Sequence, residues 1–120
     1  MTRLITRDEL HAAIETRSVT VVDALPAGYY AQQHLPGAVN LVEDDVAVRA
    51  AGLLPDKDVP IVTYCSNTAC PNSEAVARRL VALGYTDVRK YREGIQDWVD
   101  AGLRTEAGET AGDNIRAGLR

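Results

Sequence analysis

Two hydrophobic periods alternate along this chain. Thr6 and Glu9 form a T-x-x-E capping box, and Leu10, Ala13 and Ile14 follow as one apolar face. That spacing predicts an amphipathic helix over residues 7–16. "SVTVVDA" (Ser18–Ala24) is short, β-branched and nearly continuously apolar, as a strand buried on both faces would be. Pro26 and Gly28 break it, "YYAQQH" (Tyr29–His34) has room for a helical turn or two, and Pro36 stops that. "AVNLV" (Ala38–Val42) reads as a second strand. "EDDVAVRAAG" (Glu43–Gly52) reads as a helix with acids in its first turn and a terminal glycine. "IVTYC" (Ile61–Cys65) is the clearest strand. "SEAVARRLVALG" (Ser73–Gly84) follows as a helix with Val76, Leu80 and Leu83 on one face and Gly84 as its cap. "DVRKY" (Asp87–Tyr91) is a further strand, and "GIQDWVDAG" (Gly94–Gly102) is a short helix with Ile95, Trp98 and Val99 on one side.

Strands that alternate with helices predict an α/β fold, a mainly parallel sheet with helices on both faces. Residues 1–106 read as one domain. From 107 to 120 the chain is polar and glycine-containing, with no strong period, and reads as a C-terminal tail.

Composition narrows the function classes. A chain of 120 residues suits a single core, and 46% hydrophobic with 25% charged residues is ordinary for a globular protein. The formal net charge of -4 gives no basic surface for nucleic acid, and no apolar run spans a bilayer. The N-terminal stretch lacks the apolar core of a signal peptide, so the expected location is cytoplasmic. Phe is absent, which leaves one Trp and five Tyr as the aromatic bulk.

The chemistry lies in "TYCSNTACPNS" (Thr63–Ser73), which holds both cysteines. In a reducing compartment a cysteine pair is more often catalytic or redox-active than structural. Cys65 stands at the carboxyl end of a predicted strand, where open α/β sheets bind their ligands. A loop of Ser66, Asn67, Thr68, Ala69 and Cys70 then leads to a helix that begins near Asn72 or Ser73. If that loop curls over Cys65, its N–H groups and the helix dipole form a cradle for a thiolate or for an anion on the sulfur. Cys65 is therefore the candidate nucleophile. The alternative is a strand-end cysteine packed as a small hydrophobe. Cys70 has four readings: a resolving thiol, a sulfur relay, a zinc ligand, or an inert residue. A structural zinc site takes four ligands, and His11 and His34 lie in unrelated segments, so no metal is assigned. Asp23 ends a strand near the site, either organising active-site loops or accepting turn N–H groups. His34 reads as a histidine holding a turn, His11 and the Arg78–Arg79 pair as solvent-facing, and Trp98 as core.

Three stretches, in order, then carry a family resemblance. "VVDALPAGYYAQQHLPGAVNL" (Val21–Leu41) has a strand ending in Asp, an aromatic, and a His-x-Pro-Gly-Ala-x-Asn signature. "IVTYC" precedes a loop and helix, and "VRKYREGIQDWVDAGLRTE" (Val88–Glu106) has a strand, a glycine, a Trp and Ala-Gly. Together they resemble a single-domain rhodanese, a sulfurtransferase-type domain. The resemblance implies a five-stranded parallel sheet and a Cys65 that carries sulfane sulfur as a persulfide. It implies a small sulfur donor (thiosulfate-like or a persulfide), a thiol or cyanide acceptor, a protein persulfide as a further possible partner, and no metal or organic cofactor. The chain departs from the family's pattern in a longer loop with no Arg or Lys, in Leu25 where an arginine is common, and in Glu93 for the first glycine of a pair. Two other readings stay open. One is a catalytically weak binding or redox-sensing module that uses Cys65 and Cys70. The other is an arsenate reductase or phosphatase of the same fold, which would ordinarily use a loop arginine.

Overall fold

The computed structural model describes residues 2–108. Five strands, β1 (Arg3–Leu4), β2 (Thr20–Asp23), β3 (Val39–Asn40), β4 (Ile61–Tyr64) and β5 (Val88–Tyr91), form one sheet in the order β1-β5-β4-β2-β3. Every pairing between them is parallel. Helices α1 (Arg7–Glu15), α2 (Ala27–Gln32), α3 (Val46–Leu53), α4 (Asn72–Ala82) and α5 (Gly94–Asp100) connect or flank the strands. The α/β class, the parallel sheet and the helical layers stand as the sequence predicts. The tail from 107 lies almost wholly outside the described residues.

Strand β4 sits at the centre and all four of its side chains are buried. Alternation sends its residues to opposite faces. Ile61 joins Val22, Val76, Leu80 and Val88 on the side covered by α3 and α4. Val62 and Tyr64 join Leu10, Tyr30, Tyr91 and Trp98 on the side covered by α1, α2 and α5. Burying each large apolar side chain contributes about 1.5–3 kcal/mol, so this strand anchors both layers. Without Phe, tyrosines fill the core and their hydroxyls need partners. Tyr30 donates to the Ala38 carbonyl at 2.6 Å, and Tyr85 donates to the Leu54 carbonyl at 2.6 Å.

Local chemistry sets the element ends. The Thr6 side chain caps α1 by accepting from the Glu9 N–H, and Glu9 accepts from the Thr6 N–H in return. At the end of α4, Gly84 takes φ +100° while Gly84 N–H and Tyr85 N–H donate to the Val81 and Leu80 carbonyls. That is a Schellman closure, which favours glycine because of its left-handed backbone. Two details differ from the expected pattern. Leu83 and Val99 are 38% and 39% exposed rather than core; Val76, Ala77 and Leu80 form the buried face of α4, and Trp98 that of α5. Residues 43–45 form a short 3-10 turn, so α3 begins only at Val46. Strand β1 carried no signal: both of its residues are exposed, so neither alternation nor an apolar run marks it.

Candidate active site at the carboxyl end of the central strands

From β2 the chain steps outward to β3, and from β4 it steps the opposite way to β5. The sheet therefore changes direction between β2 and β4, the place where open α/β sheets form a ligand crevice. Asp23 closes β2 there and Cys65 follows the last residue of β4. An open cleft of about 710 Å³ lies at this end, lined by Leu25, Tyr29, Gln32, Gln33, Ser66 and Ile95. None of the six carries a charge.

Cys65 is 1% exposed, and its backbone is gripped from the far end of the chain. The N–H groups of Ile95 and Gln96 donate to the Cys65 and Ser66 carbonyls, both at 2.9 Å. Gly94 makes this approach possible. It has φ +73°, and a Cβ there would lie 2.6 Å from the Cys65 carbonyl oxygen. The preceding Glu93 has φ -66°, so no glycine is required at that position. Its replacement of the family's first glycine leaves the clamp intact.

The loop after Cys65 turns sharply. The Asn67 side chain accepts from the Ala69 N–H at 2.9 Å, and the Asn67 carbonyl accepts from the Cys70 N–H at 3.2 Å. Such an Asx turn reverses the chain without regular structure. It brings Cys70 back onto Cys65, and the two form a disulfide with Cα atoms 6.2 Å apart. That spacing lies within the ordinary range for a disulfide. Ser66 Oγ lies 3.9 Å from Cys65 Sγ. Among the described residues no loop N–H donates to Cys65 Sγ, and the N–H groups of Ser66, Asn67 and Thr68 have no protein acceptor. The sulfur thus faces a second sulfur and a hydroxyl. Thr68 and Ala69 are exposed.

The supporting residues take structural places. Asn72 donates from its side chain to the Ala24 carbonyl at 3.3 Å, tying the start of α4 to the end of β2. Ser73 is buried, and its carbonyl accepts from Thr63 Oγ1 at 3.0 Å. Asp23 is fully buried and accepts from the Leu25 N–H at 2.8 Å and the Tyr64 hydroxyl at 2.5 Å. Burial pushes its carboxyl up to about 6, against the opposing pull of those two hydrogen bonds. The same Tyr64 hydroxyl accepts from the Leu35 N–H at 3.0 Å. Tyr64, Asp23 and Leu35 thus lock the residue before Cys65 to two neighbouring loops. The sequence reading missed Tyr64 and Gly94. A tyrosine at the end of a buried strand and a glycine at the start of a helix were the available signals.

His34 is buried, its ring stacked on Tyr30 and its Nδ1 2.7 Å from the Tyr30 carbonyl, in the turn-holding place expected. Arg78 pairs with Glu74 at 2.8 Å and Arg79 with Glu43 at 3.0 Å, so both arginines face solvent partners rather than the cleft. Among the described residues no group of three or more His, Cys, Asp or Glu side chains could hold a metal.

Comparison with known proteins fits this geometry. Residues 6–101 match the family model of the Rhodanese-like domain. Over 111 residues the chain is 35% identical to an HTH-type transcriptional regulator of Mycobacterium tuberculosis, covering 90% of this chain. It spans only 46% of that relative's length. A Bacillus halodurans protein superposes with a TM-score of 0.81 at 24% identity, over 92% of this chain and 80% of its own. A thiosulfate sulfurtransferase of Pseudomonas aeruginosa gives 0.75 at 23% identity, over 91% of this chain and 21% of that one. A rhodanese from E. coli gives 0.61 at 27% identity, over 75% of this chain and 99% of that one. With the five-stranded parallel sheet and a cysteine at the carboxyl end of its central strand, the chain belongs to the rhodanese-like domain family.

Proposed function

We propose that the domain is a sulfurtransferase or persulfide carrier whose nucleophile is Cys65. The thiolate attacks a sulfane sulfur, the donor's remaining fragment leaves with the bonding pair, and Cys65 becomes a persulfide. A thiol or cyanide acceptor then attacks the outer sulfur and regenerates the Cys65 thiolate. The observation that carries this reading is the placement of Cys65. It is fixed at the carboxyl end of β4, at the switch point of the sheet, in a chain of the rhodanese-like family. The Ser66 hydroxyl, 3.9 Å from Cys65 Sγ, is the donor on hand for an anionic sulfur. Among the described residues no charged side chain lines the cleft, which favours a persulfide donor over a thiosulfate dianion. The test is turnover with cyanide as acceptor and either donor, read as thiocyanate. Turnover lost in Cys65→Ser is expected. Equal turnover in that variant contradicts the reading.

A second reading is a sulfur- or redox-sensing module without turnover. Two observations favour it: the disulfide-forming pair, and the transcriptional regulator to which this chain is 35% identical over 111 residues. Reversible formation of the pair's disulfide with no thiocyanate from any donor would support it over the first.

A further inference from the structure

We infer that Cys70 is a resolving thiol that turns the domain from a sulfur carrier into a sulfur reductase, releasing hydrosulfide. The inference rests on Cys65 as the sulfur acceptor and adds a second chemical step. In the structure Cys70 Sγ is bonded to Cys65 Sγ. The loop therefore already reaches the geometry in which one sulfur displaces a group from the other. With a persulfide on Cys65, the Cys70 thiolate attacks Cys65 Sγ, the inner sulfur. The Sγ–Sγ bond forms and the bond from Cys65 Sγ to the outer sulfur breaks. The outer sulfur departs with the bonding pair and its proton as hydrosulfide. The outer sulfur is reduced from the sulfane to the sulfide level, while the two cysteine sulfurs are oxidised to the disulfide. Displacement at sulfur runs in line, so the leaving sulfur points away from Cys70.

Two features separate this step from transfer of the outer sulfur onto Cys70. The paired sulfurs are the two Sγ atoms, and the inner atom of a persulfide is Cys65 Sγ. Reaching the outer sulfur would require Cys70 to retreat by a further S–S bond, about 2 Å. The Asn67 turn holds Cys70 close through the Ala69 and Cys70 N–H groups. Exposure then sets how the cycle closes. Cys65 is buried and Cys70 is half-buried at the loop surface. A dithiol reductant therefore attacks Cys70, frees the Cys65 thiolate, and takes up the disulfide itself. The net reaction converts a sulfane sulfur and a dithiol into hydrosulfide and a disulfide.

The test is a single turnover without oxygen. The fully reduced chain receives one equivalent of cysteine persulfide, and both released hydrosulfide and intact mass are followed. Wild type is expected to release one equivalent of hydrosulfide and to end two hydrogens lighter than its reduced form. Cys70→Ser is expected to gain one sulfur atom and to release hydrosulfide only slowly, by way of the free cysteine that the donor leaves behind. If wild type keeps the added sulfur atom as the variant does and releases nothing, the inference fails while Cys65 as acceptor stands. Hydrosulfide release by Cys65→Ser at the wild-type rate also overturns the inference. No sulfur gain in any variant and no release would overturn both readings.

Discussion

Cys65 and Cys70 are five residues apart and are held in opposite ways. Cys65 follows a fully buried central strand. Its carbonyl is clamped by α5, and the preceding Tyr64 is pinned by Asp23 and Leu35. Cys70 rides on a loop whose own hydrogen bonds come from one asparagine. The first environment fixes a nucleophile to the scaffold, while the second holds a partner sulfur by one local turn on which the rest of the fold does not depend. Stability and chemistry are thereby divided. Changes around Cys65 should act on both, and changes around Cys70 on chemistry alone.

Gly94→Ala is the harshest attack on that division. It forces a Cβ onto the Cys65 and Ser66 backbone at a positive φ. A loss of about 4 kcal/mol is expected, from the strained backbone and the overlap together. Urea unfolding should show a lower midpoint with an unchanged slope, and the folded fraction should react more slowly at Cys65. A loss under about 1 kcal/mol would show that the clamp is not what holds the nucleophile.

The buried carboxyl gives the next effect. Asp23 binds its proton more tightly in the folded chain, at about 6, than at its ordinary 3.8. The folded state therefore holds more protons between these values, and stability falls as pH rises through that window. The contribution is whole below about 3.8 and gone above about 6, a change on the order of 2–3 kcal/mol. Unfolding curves of wild type against Asp23→Asn from pH 4 to 7 should isolate it. Parallel curves would mean that Asp23 is not desolvated as its burial requires.

The smallest effect belongs to the loop. Asn67→Ala removes the bond to the Ala69 N–H and should cost less than about 1 kcal/mol of stability. The same change should slow closure of the Cys65–Cys70 disulfide several-fold, measured by quenched alkylation of the reduced chain after an oxidant is added. A large stability loss would erase the contrast between the two cysteines.

Much of the fold was legible because its signals are local. The β-branched run of β2, the apolar run of β4 and the Thr6–Glu9 box declare themselves within a few residues. Strand β1 did not, since it joins the sheet only by backbone bonds at an edge, with Arg3 and Leu4 both exposed. The place of Cys65 was legible from a strand that runs into a loop. The closure of Cys70 on it was legible only as one of four readings, because an Asx turn depends on one side chain's choice of partner. The clamp was not legible, because Gly94 and Ile95 reach Cys65 from a distant segment. Leu25 was legible as a departure from the family, yet its place on the wall of the cleft beside Tyr29 and Ser66 emerges only in three dimensions.

The central claim is that Cys65 accepts sulfur at the end of β4. Intact mass of the reduced Cys70→Ser variant after exposure to a persulfide donor tests it most directly. The account predicts a gain of one sulfur atom that is absent when Cys65→Ser is added to the same chain. An unchanged mass in Cys70→Ser, or a gain that survives the loss of Cys65, would contradict it.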